Sequence, residues 1–351
     1  MQPLIFDGHN DALTRLWLSD AADPVAAFLN GGLATEMDLP RCQKAHFLGG
    51  MFAVFIPPFA YVKQHHPDKI TDLNATEFTL CEMQQIVQAQ VELLHDLVAR
   101  SAQQLQLCTT VTQIRNCQKN KQIAIVMHME GAEALDANLH LLDDWYAAGL
   151  RSLGVLWNRP SLFGHGLNAS FPHSPNTGEG LTRLGKQLIT KVAQLNMVVD
   201  VSHMNELAFW DTAEILAQFD QPIVATHSNA HALCAQARNL TDSQLAAIAT
   251  SQGMVGVNFD TAFLRADGQR NKQTSIDVLL DHVEYLMQKL GEAHVGFGSD
   301  FDGGCLSDEI GDVTGLQRIV AKMQQRGYSM PLIEQICKDN WLNVLERIWG
   351  E

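Results

Sequence analysis

His203 and His227 each close a short run of β-branched and apolar residues, MVVDVSH (197–203) and PIVATHS (222–228). Between them, Asn205 to Phe219 carries apolar residues at helical spacing, at Leu207, Ala208, Ile215 and Leu216. The pattern is a βαβ unit, and parallel strands joined by a crossover helix lie side by side. Both imidazoles therefore project from neighbouring strand ends into one crevice, an arrangement that suits a metal ion. Either histidine alone is as well explained as a hydrogen-bonded residue of a polar strand-end loop, so the other candidates must decide.

Three further segments have the same form. Leu4 to Phe6 is a strand that runs into Asp7-Gly8-His9-Asn10-Asp11. If the extended geometry continues to Asp11, the period of two puts His9 and Asp11 on one side, where an imidazole and a carboxylate can share a cation. Otherwise Asp11 is a turn former or helix cap. Ile123 to Met127 (IAIVM) precedes His128-Met129-Glu130-Gly131. A carboxylate just past a buried strand end can bridge two cations, one oxygen to each, so Glu130 is the expected bridging residue; its alternative is a cap or salt bridge. His128 lies on the same face and is open to three readings: ligand, substrate contact or packed supporting group. Arg238, in the loop after His227, is placed to grip a substrate carboxylate bidentately, although a solvated surface Arg is the commoner fate. Asp300, after His294 to Gly298 (HVGFG), can accept a proton from an activated water and pass it to a leaving amine. Asp302 reads as a turn residue before glycines, and the His65-His66 pair as solvated.

The elements that must position these residues alternate regularly. Strands are expected at Leu4 to Phe6, Phe47 to Ile56, Ile123 to Met127, Arg151 to Leu156, at the two histidine-terminated runs, at Met254 to Asn258 and at His294 to Gly298. Helices are expected between them, including a long amphipathic one over Ala75 to Leu105 and two at the C-terminus over Leu316 to Gln325 and Pro331 to Ile348. Long loops cover Ser19 to Lys44 and Arg159 to Glu179. Eight strands alternating with helices over 351 residues fit a (β/α)₈ TIM barrel with enlarged strand-end loops. The candidate residues ring its carboxyl end, after strands one, three, five, six and eight. An open doubly wound sheet is the runner-up, because alternation alone does not prove closure. No linker, repeat or low-complexity tract marks a boundary, so residues 1–351 read as one domain.

Composition limits the partners. The 39 acidic residues exceed the 24 Lys plus Arg, for a formal charge of -15, which argues against phosphate-backbone binding and against an anionic membrane surface. Seven cysteines without a C-x-x-C pair do not make a disulfide framework. The N-terminus lacks a secretory pattern and no stretch has the length of a membrane span, so a cytoplasmic protein is expected.

Together DGHND, HMEGAEAL, DVSHMN, ATHSNA with the downstream ARN, and GSDFDG resemble the motif set of the membrane (renal) dipeptidases, peptidase family M19 of the amidohydrolase superfamily. The motifs occur in the family's order and span residues 7 to 304. The resemblance implies a TIM-barrel metallopeptidase with two zinc ions, His9 and Asp11 holding one, His203 and His227 the other, and Glu130 bridging them. It further implies that a bridging hydroxide attacks the amide carbonyl of a dipeptide, that Asp300 shuttles the proton and that Arg238 binds the substrate's C-terminal carboxylate. A homodimer is implied too.

One position departs from the family pattern. Animal members carry a histidine just past strand four that holds the substrate carbonyl, whereas Trp157 (VLWNRP) stands there in this chain. An indole packs a substrate and donates one hydrogen bond but cannot become cationic. His128, His165 and His173 are the candidates to replace it. The expected activity is a dipeptidase, with a D-residue accepted at the C-terminal position as the family often allows. The alternatives are an amidohydrolase of an N-acyl amino acid or lactone, and a metal-binding barrel without turnover.

Overall fold

The computed structural model describes residues 2–350. Eight parallel strands close into a barrel: β1 (Ile5–Asn10), β2 (Phe47–Phe55), β4 (Ile123–Glu130), β5 (Leu150–Gly154), β6 (Val198–Asp200), β7 (Val224–Ala225), β8 (Met254–Val257) and β9 (Val295–Phe297). They run in the order β2-β1-β9-β8-β7-β6-β5-β4, and β2 pairs with β4 from Gly49↔Ala124 to Phe55↔Glu130, which removes both sheet edges. This is the (β/α)₈ barrel, and the open sheet is excluded.

Strand alternation sorts the side chains. Ile123, Ile125, Met127 and Met129 of β4 join the core between barrel and helices, while Ala124 and Val126 join a second core with Phe6, Val198, Val224 and Met254. Continuing that second parity puts His128 and Glu130 on the inward face above Val126. At the other end of the barrel the C-terminal helix Asn340–Trp349 inserts Trp341. Its indole donates to the Phe297 carbonyl at 2.9 Å and lies against Gly8, Gly256 and Gly296. A Cβ at Gly8 would stand 2.4 Å from the indole ring, so no larger residue fits there. Hydrophobic side chains thus fill one end and leave the other for polar groups.

Three expectations are corrected. A ninth strand, β3 (Leu105–Leu107), pairs with the start of β4 outside the ring. The long helix spans Leu80–Arg100 rather than Ala75 to Leu105. It begins at a capping box between Thr79 and Glu82, and beyond it the chain is drawn into β3. The last helix is interrupted by a wide turn over Gln335–Asp339. No helix among the described residues is long and apolar enough to cross a membrane.

Candidate metal centre and substrate cavity

His9 and Asp11 leave β1, where its register against β2 shifts between Asp7 and Asn10. Asp7 holds this end in place, its carboxylate accepting from the Ser299 backbone N–H at 2.7 Å and the Ser299 hydroxyl at 2.8 Å. Asp11 stands at the N-cap of the helix Ala12–Leu18 yet accepts no capping hydrogen bond, so its carboxylate is not spent on the helix. Asp300 follows β9 in the left-handed region, φ +60°, and its N–H donates to the His9 carbonyl at 3.0 Å. A non-glycine residue held there is strained, and the surrounding hydrogen bonds impose it.

The donors converge. Glu130 Oε1 lies 2.7 Å from His203 Nε2, 3.4 Å from His227 Nε2 and 3.8 Å from His9 Nε2, and His9 Nε2 lies 3.5 Å from Asp11 Oδ2. Three sets have ligand-type atoms within 4.8 Å of one another: His9 with Asp11 and Glu130, Glu130 with His203 and His227, and His9 with His227 and Asp300. Glu130 belongs to two of them, as a bridging carboxylate must.

Hydrogen bonding fixes the tautomer of His227. The Thr226 hydroxyl donates to Asp200 Oδ2 at 2.6 Å, so it accepts from His227 Nδ1 at 2.8 Å and leaves Nε2 a bare lone pair. His203 Nδ1 lies 2.9 Å from Asn158 Oδ1. The Arg238 Nε–H donates to that Nδ1 at 3.2 Å. The Nε2 atoms of His203 and His227 lie 3.1 Å apart beside a carboxylate oxygen of Glu130. Both ring nitrogens of His9 and Oδ1 of Asp11 are buried without a hydrogen-bond partner. Unpaired buried lone pairs are costly, and a divalent cation satisfies several at once, so the donor set fits metal ions.

Charge gives the same answer. Burial drives the His203 and His227 imidazoles well below their usual range, reinforced by the Arg238 and His9 charges. Burial pulls His9 the same way, but Glu130, Asp11 and Asp300 outweigh it and lift His9 to about 10. Glu130 is raised well above a normal carboxyl, first by burial. Burial also raises Asp300, to about 6, with Asp11 and Asp260 opposing the pull of His9. The acids draw positive charge onto the one histidine they surround, the charge a metal would bring.

A cavity of about 410 Å³ opens above, lined by Asp11, Glu130, His203 and Asp300, and walled by Phe55 and Trp157. Asn258 Nδ2 donates to Asp300 Oδ2 at 2.9 Å. Arg238 is buried beside His203 and is not among the residues that line the cavity; it donates from Nη1 to the Ser202 carbonyl and to Ser228 Oγ, while Nη2 has no partner. Arg238 is therefore no surface residue, and its unpartnered Nη2 retains a donor for an anionic group.

His128 does not reach the cavity, which corrects its reading as a substrate contact. It is fully buried one step down β4, hydrogen-bonded to Ser152 Oγ at 2.8 Å and edge-on to His9, and burial lowers it to about 3. His165 and His173 do not line the cavity either. His65 and His66 do not line it, although both rings lie beside Tyr61, which does. Asp302 is a left-handed turn residue that also lines the cavity. The sequence reading missed Phe55, Asn158, Asp260 and Arg270, which also line it. Only Asn158 carried a signal, its place directly after Trp157.

Comparison with known proteins agrees with this geometry. Residues 2–349 match the family described as membrane dipeptidase (peptidase family M19). A protein of Acinetobacter calcoaceticus, described only as an uncharacterized protein in the PQQ-III 3' region, is 62% identical over 82% of this chain and 90% of its own length. A crystal structure of a metallo peptidase from Rhodobacter sphaeroides, liganded with a phosphinate mimic of the dipeptide L-Ala-D-Ala, is 40% identical, covers 99% of this chain and 100% of its own, and superposes with a TM-score of 0.92. A second structure, described as dipeptidase AC, is 41% identical over the whole of both chains with the same TM-score. The chain belongs to the membrane dipeptidase family, peptidase family M19.

Proposed function

We propose that this chain is a dipeptidase that works with two zinc ions, one held by His9 and Asp11, the other by His203 and His227, with Glu130 shared between them. The observation that carries the reading is the convergence of His203 Nε2 and His227 Nε2, 3.1 Å apart, on Glu130 Oε1, beside ring nitrogens of His9 and an oxygen of Asp11 that are buried without partners. When bound, the ions acidify water into a nucleophile at neutral pH and polarise the scissile carbonyl. The chain's own residues do the rest. Arg238 Nη2 donates to the substrate's C-terminal carboxylate. Phe55 and Trp157 pack the side chains and keep bulk water from the amide. Asp300 takes the proton released as water adds to the carbonyl and delivers it to the amide nitrogen as the C–N bond breaks.

The dipeptide mimic held by the Rhodobacter sphaeroides relative supports a small substrate with a free carboxylate, including one with a D-residue at the C-terminal position. The test is hydrolysis by zinc-loaded protein of L,L- and L,D-dipeptides and of their C-terminal amides. Turnover of the free dipeptides that disappears on amidation is expected. No turnover with two equivalents of metal bound would overturn the reading.

A further inference from the structure

Two charged residues within the motifs have no part in the chemistry above. Glu133 lies in HMEGAEAL, three residues after the shared carboxylate, and Arg159 lies in VLWNRP, two residues after Trp157. The fold brings them together. Arg159 Nε stands 2.8 Å from Glu133 Oε1, whose side chain is buried, and Arg159 Nη2 donates to the Ile56 carbonyl at 2.6 Å. Pinned at both ends, the guanidinium lies 5.1 Å over the Trp157 ring and 5.9 Å over the Phe55 ring. Those rings touch each other, with centroids 5.0 Å apart, and Trp157 lies 6.1 Å from the His203 ring.

Behind this aromatic wall is a second hollow, of about 570 Å³, lined by Phe59, Phe78, Met83 and Leu162 among others. Trp157 and Pro58 line both hollows, so the indole is the partition between them. The ring contacts of Trp157 are with Phe55, with His203 and with the Arg159 guanidinium. A planar cation stacked on an indole restrains it without filling the space on either side, which a lysine ammonium does less well.

We propose that Arg159, anchored by Glu133, is a positioning residue that holds Trp157 as the partition of the substrate cavity and so sets the size of the apolar side chain the enzyme accepts. With the partition in place the substrate is confined to the catalytic cavity, and dipeptides of small residues are preferred. With the guanidinium gone, the indole swings toward the second hollow and bulky side chains gain room. The selectivity part of the proposal rests on the dipeptidase reading; the restraint on Trp157 does not.

The experiment has two arms. In the first, kcat/KM is measured for dipeptides that place Ala or Phe at either position, with the wild type, Arg159→Met, Arg159→Lys, Trp157→Ala and the double variant. Arg159→Met is expected to shift the Ala-to-Phe ratio toward Phe about tenfold at one position, mainly through KM, with Arg159→Lys in between. In the Trp157→Ala background, Arg159→Met is expected to add nothing. An unchanged ratio, or an equal effect in the background without the indole, overturns the proposal. In the second arm, acrylamide quenching of the Trp157 fluorescence, taken as the difference from matched Trp157→Phe proteins, is compared with and without Arg159→Met. Increased quenching is expected and unchanged quenching overturns the proposal. This arm needs no turnover, so it decides on Arg159 even if the wild type hydrolyses no dipeptide.

Discussion

His227 and Asp200 are joined through a single hydroxyl. Thr226 accepts from His227 Nδ1 at 2.8 Å and donates to Asp200 Oδ2 at 2.6 Å, and Asp200 Oδ1 accepts from the Ser202 hydroxyl and N–H and from the Thr226 N–H. The order of donation leaves His227 Nε2 unprotonated whether or not a metal is bound. Supporting hydrogen bonds of this kind orient a ligand and raise its basicity. Thr226→Val removes the hydroxyl at constant shape, and zinc affinity at the His203–His227 position should fall by about 10- to 100-fold. Competition with a chromophoric chelator measures it. Unchanged affinity would mean that Thr226 only packs.

Removing the metals should destabilise the fold. A ligand present at about a thousand times its dissociation constant contributes about 4 kcal/mol to the folded state. Stripping with dipicolinate is therefore expected to lower Tm by several degrees, and zinc should restore it. Glu130→Gln, which weakens the shared ligand, should bind fewer equivalents and respond less. A Tm indifferent to chelation would contradict the metal centre.

Asp300 has two roles to separate, because its carboxylate lies both at the cavity and within ligand reach of His9 and His227. As the proton carrier, its replacement by Asn should reduce kcat by about 10²- to 10⁴-fold and leave two metals bound. Loss of one equivalent in Asp300→Asn, measured by elemental analysis, would make it a ligand instead.

The sequence carried the face of each site residue better than its depth. Alternation along β4 puts His128 and Glu130 on one side of the strand, and both do face inward. Alternation does not say that one is in the cavity and the other beneath it, because that depends on how high the opposite strands reach. Strand length was overread for a related reason. MVVDVSH looks extended throughout, but only Val198–Asp200 pairs in the sheet, since the Asp200 carboxylate turns the chain by accepting from the Ser202 N–H. The burial of Arg238 was not legible, since Ser202, Ser228 and His203 around it come from other segments. Glu133 and Arg159 were illegible as a pair: a contact between the ends of two strands exists only once the barrel is closed.

The free Nη2 edge of Arg238 predicts a specific kinetic signature. Truncating a buried charge that binds a substrate carboxylate typically costs about 2–5 kcal/mol. Arg238→Met should therefore reduce kcat/KM for free dipeptides by roughly 30-fold or more and abolish the preference for free acids over amides. If the variant still prefers free acids by the wild-type ratio, another group binds the carboxylate.

His282 links the active-site loops to pH. It lies on the helix Ile276–Leu290, fully buried, where Nδ1 accepts from the Ala230 N–H at 3.1 Å and Nε2 donates to the Leu264 carbonyl at 2.9 Å. Ala230 begins the loop that carries Arg238, and Leu264 ends the short helix after β8, so one neutral imidazole holds both. Burial lowers His282 to about 4, against the weaker pull of the Leu264 carbonyl and Asp281. The unfolded chain, with a histidine near 6.5, then binds more protons than the folded one between pH 4 and 6.5. Stability is fully present above pH 6.5 and falls as the pH drops toward 4. From pH 7 to pH 5 this one group should cost about 2 kcal/mol. Gln at this position keeps a donor and an acceptor but does not titrate. His282→Gln should be less stable than the wild type at pH 7, yet lose about 2 kcal/mol less between pH 7 and pH 5 in urea denaturation. Parallel losses in the two proteins would place the acid sensitivity elsewhere, with the metal ligands the first groups to examine.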